Sequence, residues 1–168
     1  MRLIRPWLFN FSLKVKKVDI FYYWKNVNED IKANRIGWFR SSHEKLADLS
    51  DGSPDYLWVF KTLKGLKGQV QLIARLKWED SPVVPMTRTP GESYVFYNPF
   101  HSDSVLYSDS GSAACVGTAT DWVRRNFPAA IRGNFQEGNG QQALRRSLLK
   151  ELNYLTNTWP TEPFRVAP

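Results

Sequence analysis

Hydrophobic positions along this chain change period several times, and each change marks an element. Residues 18–24 (VDIFYYW) combine β-branched and aromatic side chains, the composition of a strand. Residues 28–35 are short and polar, enough for one or two helical turns, and residues 36–40 (IGWFR) return to strand character. Ser41-Ser42-His43-Glu44 has the spacing of a capping box, in which the Ser41 hydroxyl accepts from the Glu44 amide. A short helix is therefore expected to run through Leu49 and to stop at the turn residues Asp51-Gly52-Ser53-Pro54. Residues 56–62 (YLWVFKT) read as a strand, and residues 63–68 (LKGLKG) as the glycine-bearing connection of a hairpin. In the returning strand, residues 69–78, Val70, Leu72, Ala74, Leu76 and Trp78 alternate with Gln69, Gln71, Arg75 and Lys77. That alternation predicts one buried face and one wet face. Ile73 alone breaks it.

Pro82, Pro85, Pro90 and Gly91 make residues 79–92 an irregular loop. Residues 94–97 predict a short strand and residues 104–107 another. Two helices follow, one over residues 118–127 that stops before Pro128, and one over residues 141–157. The second carries Leu144, Leu148, Leu152 and Leu155 on a single stripe. This order predicts an α+β fold with a mixed or antiparallel sheet, open or closed into a small barrel.

At 168 residues the chain suits one domain, and one large enough to fold without a metal or disulfide staple. With 42% hydrophobic and 23% charged residues it is excluded from the disordered, collagen-like and coiled-coil classes. The 14% aromatic content and seven tryptophans stand out, because large rings need a packing or binding purpose. Cys115 is the single cysteine, which excludes an internal disulfide framework and a cysteine-based zinc knuckle and suits a reducing compartment. The net charge of +7 invites a polyanionic partner. Residues 1–17, however, hold Arg2, Arg5, Lys14, Lys16 and Lys17 with no acid, so the remainder is nearly balanced. That stretch is expected to be a basic N-terminal arm in front of a single domain over residues 18–168. It is too short to span a bilayer and shows no small-residue cleavage site, so a cytoplasmic, membrane-free protein is expected.

Candidates for chemistry are few. The glycine-rich stretch over residues 133–140 lacks the Walker lysine and the dinucleotide spacing. His43 and His101 are the only histidines and are not at ligand spacing. His101 with Asp103 and Asp109 is the one trio that a hydrolase or nuclease could use. Cys115 lacks the flanking glycine spacing of a nucleophile elbow and is expected as a buried structural thiol. No catalytic residue, metal or cofactor is assigned from these residues.

The segment from Phe21 to Asp80 carries more information. It places an aromatic strand ending in Trp24-Lys25-Asn26 before a short helix, then a strand built on Gly37-Trp38 and closed by Ser41-Ser42, then a capped helix and a glycine-turn hairpin ending near Trp78. This order and these residue types resemble the PUA-like superfamily, and within it the EVE and YTH domains. The resemblance covers about 60 of the 168 residues. It implies a small barrel flanked by helices, with a pocket for a flipped, often methylated base, hence DNA or RNA as partner. On the same resemblance Trp38 is the stacking wall and Ser41 a polar contact, while Trp24, Lys25 and Asn26 reach the base edge. Tyr97 is drawn from the aromatic group Tyr94, Phe96, Tyr97 and Phe100, which stands where YTH domains have a second cage tryptophan. A methyl-adenine, modified-cytosine or unmodified-base pocket therefore stays open. Arg40, Lys61, Lys64 and Lys67 are the expected phosphate contacts. The alternatives are a hydrolase like the related ASCH domains, using the His101 trio, and a protein-interaction domain that docks through Trp7 and its neighbours.

Overall fold

The computed structural model describes residues 18–42 and 44–166. The expected basic arm, with Trp7, and His43 lie outside them. The strands are β1 (Asp19–Tyr23), β2 (Trp38–Ser41), β3 (Tyr56–Thr62), β4 (Val70–Glu79), β5 (Ser93–Asn98), β6 (Val105–Tyr107), β7 (Gln141–Leu144) and β8 (Thr161–Pro163). The helices are α1 (Val27–Lys32), α2 (Lys45–Ser50), α3 (Ala113–Asn126), α4 (Pro128–Arg132) and α5 (Arg146–Thr156). The main path of the sheet is β2-β5-β4-β3-β1-β7, with β6 on β4 and β8 on β6. β1 and β3 are parallel and the other pairs antiparallel. A parallel pair needs a crossover, and α1, β2 and α2 supply it. The result is an α+β fold with a strongly curled mixed sheet, a half-barrel.

Ile73 helps to explain the curl. Val59 stands opposite Ala74 but Phe60 opposite Leu72, so Ile73 is an extra residue in a β-bulge. A bulge bends its strand and raises the local twist. It also switches which face the alternation serves. Val70 and Leu72 join one core, while Ile73, Ala74 and Leu76 join the other. The expectation of one wet face along β4 is thereby corrected, because both faces of the strand are covered. Even Arg75 lies over rings, its guanidinium 4.7 Å from the Tyr56 centroid and 5.8 Å from that of Trp58.

One core fills the inside of the curl. It gathers side chains from β1 to β5, among them Ile20, Phe39, Leu57 and Tyr97, under Val27 of α1 and Leu46 of α2. The other lies between the sheet and the helices α3, α4 and α5. There Phe21 and Phe60 stack at 3.8 Å and Trp122 meets Phe21 edge-on at 5.2 Å. Rings of this size bury roughly 150–250 Å² each, which makes them the main source of hydrophobic stabilisation. Asp19 ties β1 to the start of β3. Its carboxylate is 1% exposed and accepts from the Asp55 and Tyr56 amides at 3.0 and 3.1 Å and from Trp58 Nε1 at 3.0 Å.

Three expected boundaries move. Ser41 is the last residue of β2, opposite Ser93 of β5, and α2 has no side-chain cap because Glu44 already has helical angles. The pairing to β5 takes the serine that the capping box would have used. The helix expected over residues 141–157 begins at Arg146, since residues 141–144 pair with β1 as β7. Leu144 is buried as a strand residue, and its four-residue spacing to Leu148 is coincidental. Finally α3 starts at Ala113 rather than 118, capped by Ser112, whose hydroxyl accepts from the Cys115 amide at 3.2 Å. Cys115 is buried in its first turn, as a structural thiol would be.

Candidate functional site

Because β2 and β7 are the ends of the sheet path, a seam remains between β2 and the β1–β7 pair. Side chains bridge it. Tyr22 of β1 stacks on Phe39 of β2 at 4.3 Å, and its hydroxyl donates to the Arg40 carbonyl at 3.3 Å. Burial pushes the Tyr22 phenol far above its usual range, so it stays a neutral donor. Trp24 meets Phe39 edge-on at 5.0 Å. Lys45 of α2 reaches over to the Gly138 carbonyl at 3.0 Å.

A cleft of about 980 Å³, partly open to solvent, lies along this seam. Lys25 and Asn26 enter it from the end of β1 and are exposed. Trp24, 3% exposed, forms a wall beside them and does not protrude. Its indole Nε1 donates to Asp30 Oδ2 at 2.7 Å, and Arg35 Nε donates to Asp30 Oδ1 at 3.0 Å. Trp38 and Arg40 are two residues apart and so share one face of β2, with Phe96 and Tyr94 of β5 opposite them. Arg88 lies over the Tyr94 and Phe96 rings at 6.0 and 5.1 Å. The Tyr94 hydroxyl accepts from the Thr89 amide at 2.7 Å, and hydrogen bonding to Thr89 lowers its pKa below the usual value.

A second depression of about 1260 Å³ adjoins the cleft and shares Tyr23, Lys25 and Arg40 with it. Ser41, Ser42, Gln136 and Gln141 are among its other lining residues. Its wall includes Asn134 and Phe135, with φ of 52° and 55°. A bulky residue in that left-handed region costs about 1–3 kcal/mol, and such strain gathers at functional sites. The Phe135 ring is held by Tyr23, stacked at 5.1 Å, and by Phe60, edge-on at 5.0 Å.

Of the expected base-pocket residues, Trp24, Lys25, Asn26 and Trp38 border the cleft together, with Arg40, and Ser41 lines the adjoining depression. Tyr97 is different. It is fully buried inside the curl, its ring 5.1 Å from Phe39 and edge-on to Phe164 at 5.9 Å. The alternation of β5 turns Val95 and Tyr97 inward, so Tyr94 is the tyrosine that faces the cleft. Period-two counting along β5 would have found it. Thr87 and Gln141 also line the two depressions, and they are brought there by long-range folding that leaves no local signal. Lys61, at the end of β3, and Lys64 and Lys67, in the hairpin turn, line neither depression.

The His101 trio does not assemble. His101 Nδ1 accepts from the Asp103 amide at 3.0 Å and lies 3.9 Å from its carboxylate, which accepts from the Tyr56 hydroxyl at 3.2 Å. No hydrogen bond or ion pair among the described residues joins Asp109 to them. Among the described residues no group of three or more His, Cys, Asp or Glu could hold a metal ion, and no helix is long and apolar enough to cross a membrane. No family model, curated protein or solved structure matches this chain, so the cleft's function has to be read from its own side chains.

Proposed function

We propose that the chain is a nucleic-acid-binding module whose seam cleft holds a base turned out of its stack. One observation carries this: Trp24, Lys25 and Asn26 from the end of β1 and Trp38 and Arg40 from β2 border the same cleft. Behind the Trp24 wall, Trp38, Asn26 and the Lys25–Arg40 pair would supply three different parts of base recognition. The half-buried Trp38 ring offers a stacking face, worth about 1–3 kcal/mol per base, against the few kcal/mol that eversion costs. The Asn26 amide carries both donors and acceptor for a base edge. Lys25 and Arg40 stand at the rim where the strand's phosphates would pass, and the nearby Asp30 carboxylate is already engaged by Trp24 and Arg35. Electron-rich rings also favour a methylated or cationic base. The curled α+β sheet is compatible with the PUA-like resemblance, which supports the same reading.

Titrating the intrinsic tryptophan fluorescence with short DNA and RNA oligonucleotides, methylated and unmethylated, tests it. The expected result is saturable quenching that persists at raised salt and is lost in Trp38→Ala. Binding that ignores the Trp38 substitution and collapses with salt would mean charge attraction alone, and the base site would be abandoned. A preference for one methylated oligonucleotide would make the module a reader of that modification.

A further inference from the structure

We infer that the site takes two consecutive nucleotides, with the phosphodiester between them seated on Lys25 and Arg40. This rests on the seam cleft being a base site and goes beyond it by assigning the adjoining depression. Lys25 and Arg40 border both depressions and are exposed. A ligand that fills both must cross that cationic boundary, so it has two units and an anionic link. A dinucleotide step has that composition.

The second depression also carries its own unmet recognition group. Gln141 is 6% exposed, lines the depression, and its side-chain oxygen has no hydrogen-bond partner among the described residues. A buried acceptor is normally satisfied, and a small turn of the Gln141 side chain toward the depression would let a base amine or ribose hydroxyl donate to it. Ser42 and Gln136, both exposed on the same lining, add polar groups for a neighbouring nucleotide. The pairing of Lys45 with the Gly138 carbonyl and, at 3.4 Å, with Gln142 holds α2 against this segment, which keeps the two sides of the depression in register.

The experiment compares mononucleotides with dinucleoside monophosphates, ribo and deoxy, by competition for a fluorescent oligonucleotide. A dinucleoside monophosphate should bind at least tenfold more tightly than either mononucleotide, and a methylphosphonate link without charge should lose most of that gain. The double variant Ser42→Ala, Gln136→Ala should lose the gain while its mononucleotide affinity stays within twofold. Gln141→Leu should act in the same direction, and the exposed pair keeps the test valid if that buried change impairs folding. A larger gain for the ribo form would identify the sugar hydroxyl as the donor to Gln141, and equal gains would identify the base. If mononucleotides compete but the dinucleotides compete no better, or the double variant keeps the gain, the second subsite is overturned while the base site stands. If neither the mononucleotides nor the dinucleoside monophosphates compete, both fall.

Discussion

Aromatic residues gather in two regions of the chain, one closed over by helices and one open to solvent. Between the sheet and the C-terminal helices, Phe21, Phe60, Trp122 and Phe127 lie within 3.8 to 5.9 Å of a neighbouring ring. Trp58 and Trp122 there are 0% and 1% exposed. Along the seam, Trp38 and Tyr94 are only half buried, and Lys25 and Arg40 stand beside them. Residue type does not separate the two sets. What does is the layer behind them: α3, α4 and α5 cover one face of the sheet, whereas the ends of the sheet path leave the seam open. An aromatic-rich composition is thus one quantity divided between a closed core and an open cleft, and only the topology shows the division.

The largest expected effect breaks the closed region and spares the open one. Trp122→Ala should cost about 3–5 kcal/mol in urea denaturation, the usual loss for a large ring in a packed core. Trp38→Ala should cost about 1 kcal/mol or less, since its removal leaves no enclosed cavity. Its effect should appear in oligonucleotide binding instead. Equal destabilisation by the two changes would make Trp38 a packing residue and erase the distinction.

The sequence shows this division only in part. Strands whose alternation is self-contained were legible: residues 56–62 are β3 as expected, and β1, β4 and β5 fall within a residue or two of their predicted ends. Ile73, the one irregular position in β4, turned out to be the bulge itself. Elements defined by a distant partner were hidden. Residues 141–144 have a helical spacing but become a strand because β1 offers an unpaired edge, and β8 exists only because β6 does. The site divides along the same line. Trp24, Lys25, Asn26, Trp38 and Arg40 lie near strand ends that a local pattern can locate, whereas the alternation of β5 turns Tyr97 into the core. The far wall, with Asn134 to Gln141, is closed by contacts across more than a hundred residues of chain.

An intermediate effect is expected at the entry to β2. Gly37 precedes Trp38, has φ of +101°, and an added Cβ would sit 2.9 Å from Val84 Cγ2. Gly37→Ala therefore meets both backbone strain and the loop that folds over β2, and should destabilise by about 1–3 kcal/mol. Gly91, with φ of +82°, has open space around its Cβ position, so Gly91→Ala should cost only about 1 kcal/mol from backbone strain. Oligonucleotide binding at a temperature where both variants are folded sharpens the comparison. Gly37→Ala should weaken binding by displacing Trp38, and Gly91→Ala should leave it unchanged. If both variants behaved alike, the loop would have no part in placing the tryptophan.

The smallest effect is a pH dependence confined to the closed side. Burial outweighs the hydrogen bonds from Trp58, Tyr56 and Asp55, so the Asp19 carboxyl titrates above its ordinary value of 3.8. The folded chain then takes up this proton before the unfolded chain does. Its stabilising contribution is complete below pH 3.8, and it is lost as pH rises through the elevated folded value. Asp19→Asn removes the titration and turns an amide donor toward Trp58 or the two backbone amides, so the variant should be less stable than the parent throughout. The gap between them in urea denaturation should widen as pH falls from 7 toward 4, because only the parent gains from protonation. Base binding at the seam should show no matching change, since Asp19 faces Trp58 and lines neither depression. A gap that narrows on acidification would mean that the three hydrogen bonds hold the carboxylate charged, and that the buried end of β1 is stabilised by its charge despite the loss of solvent.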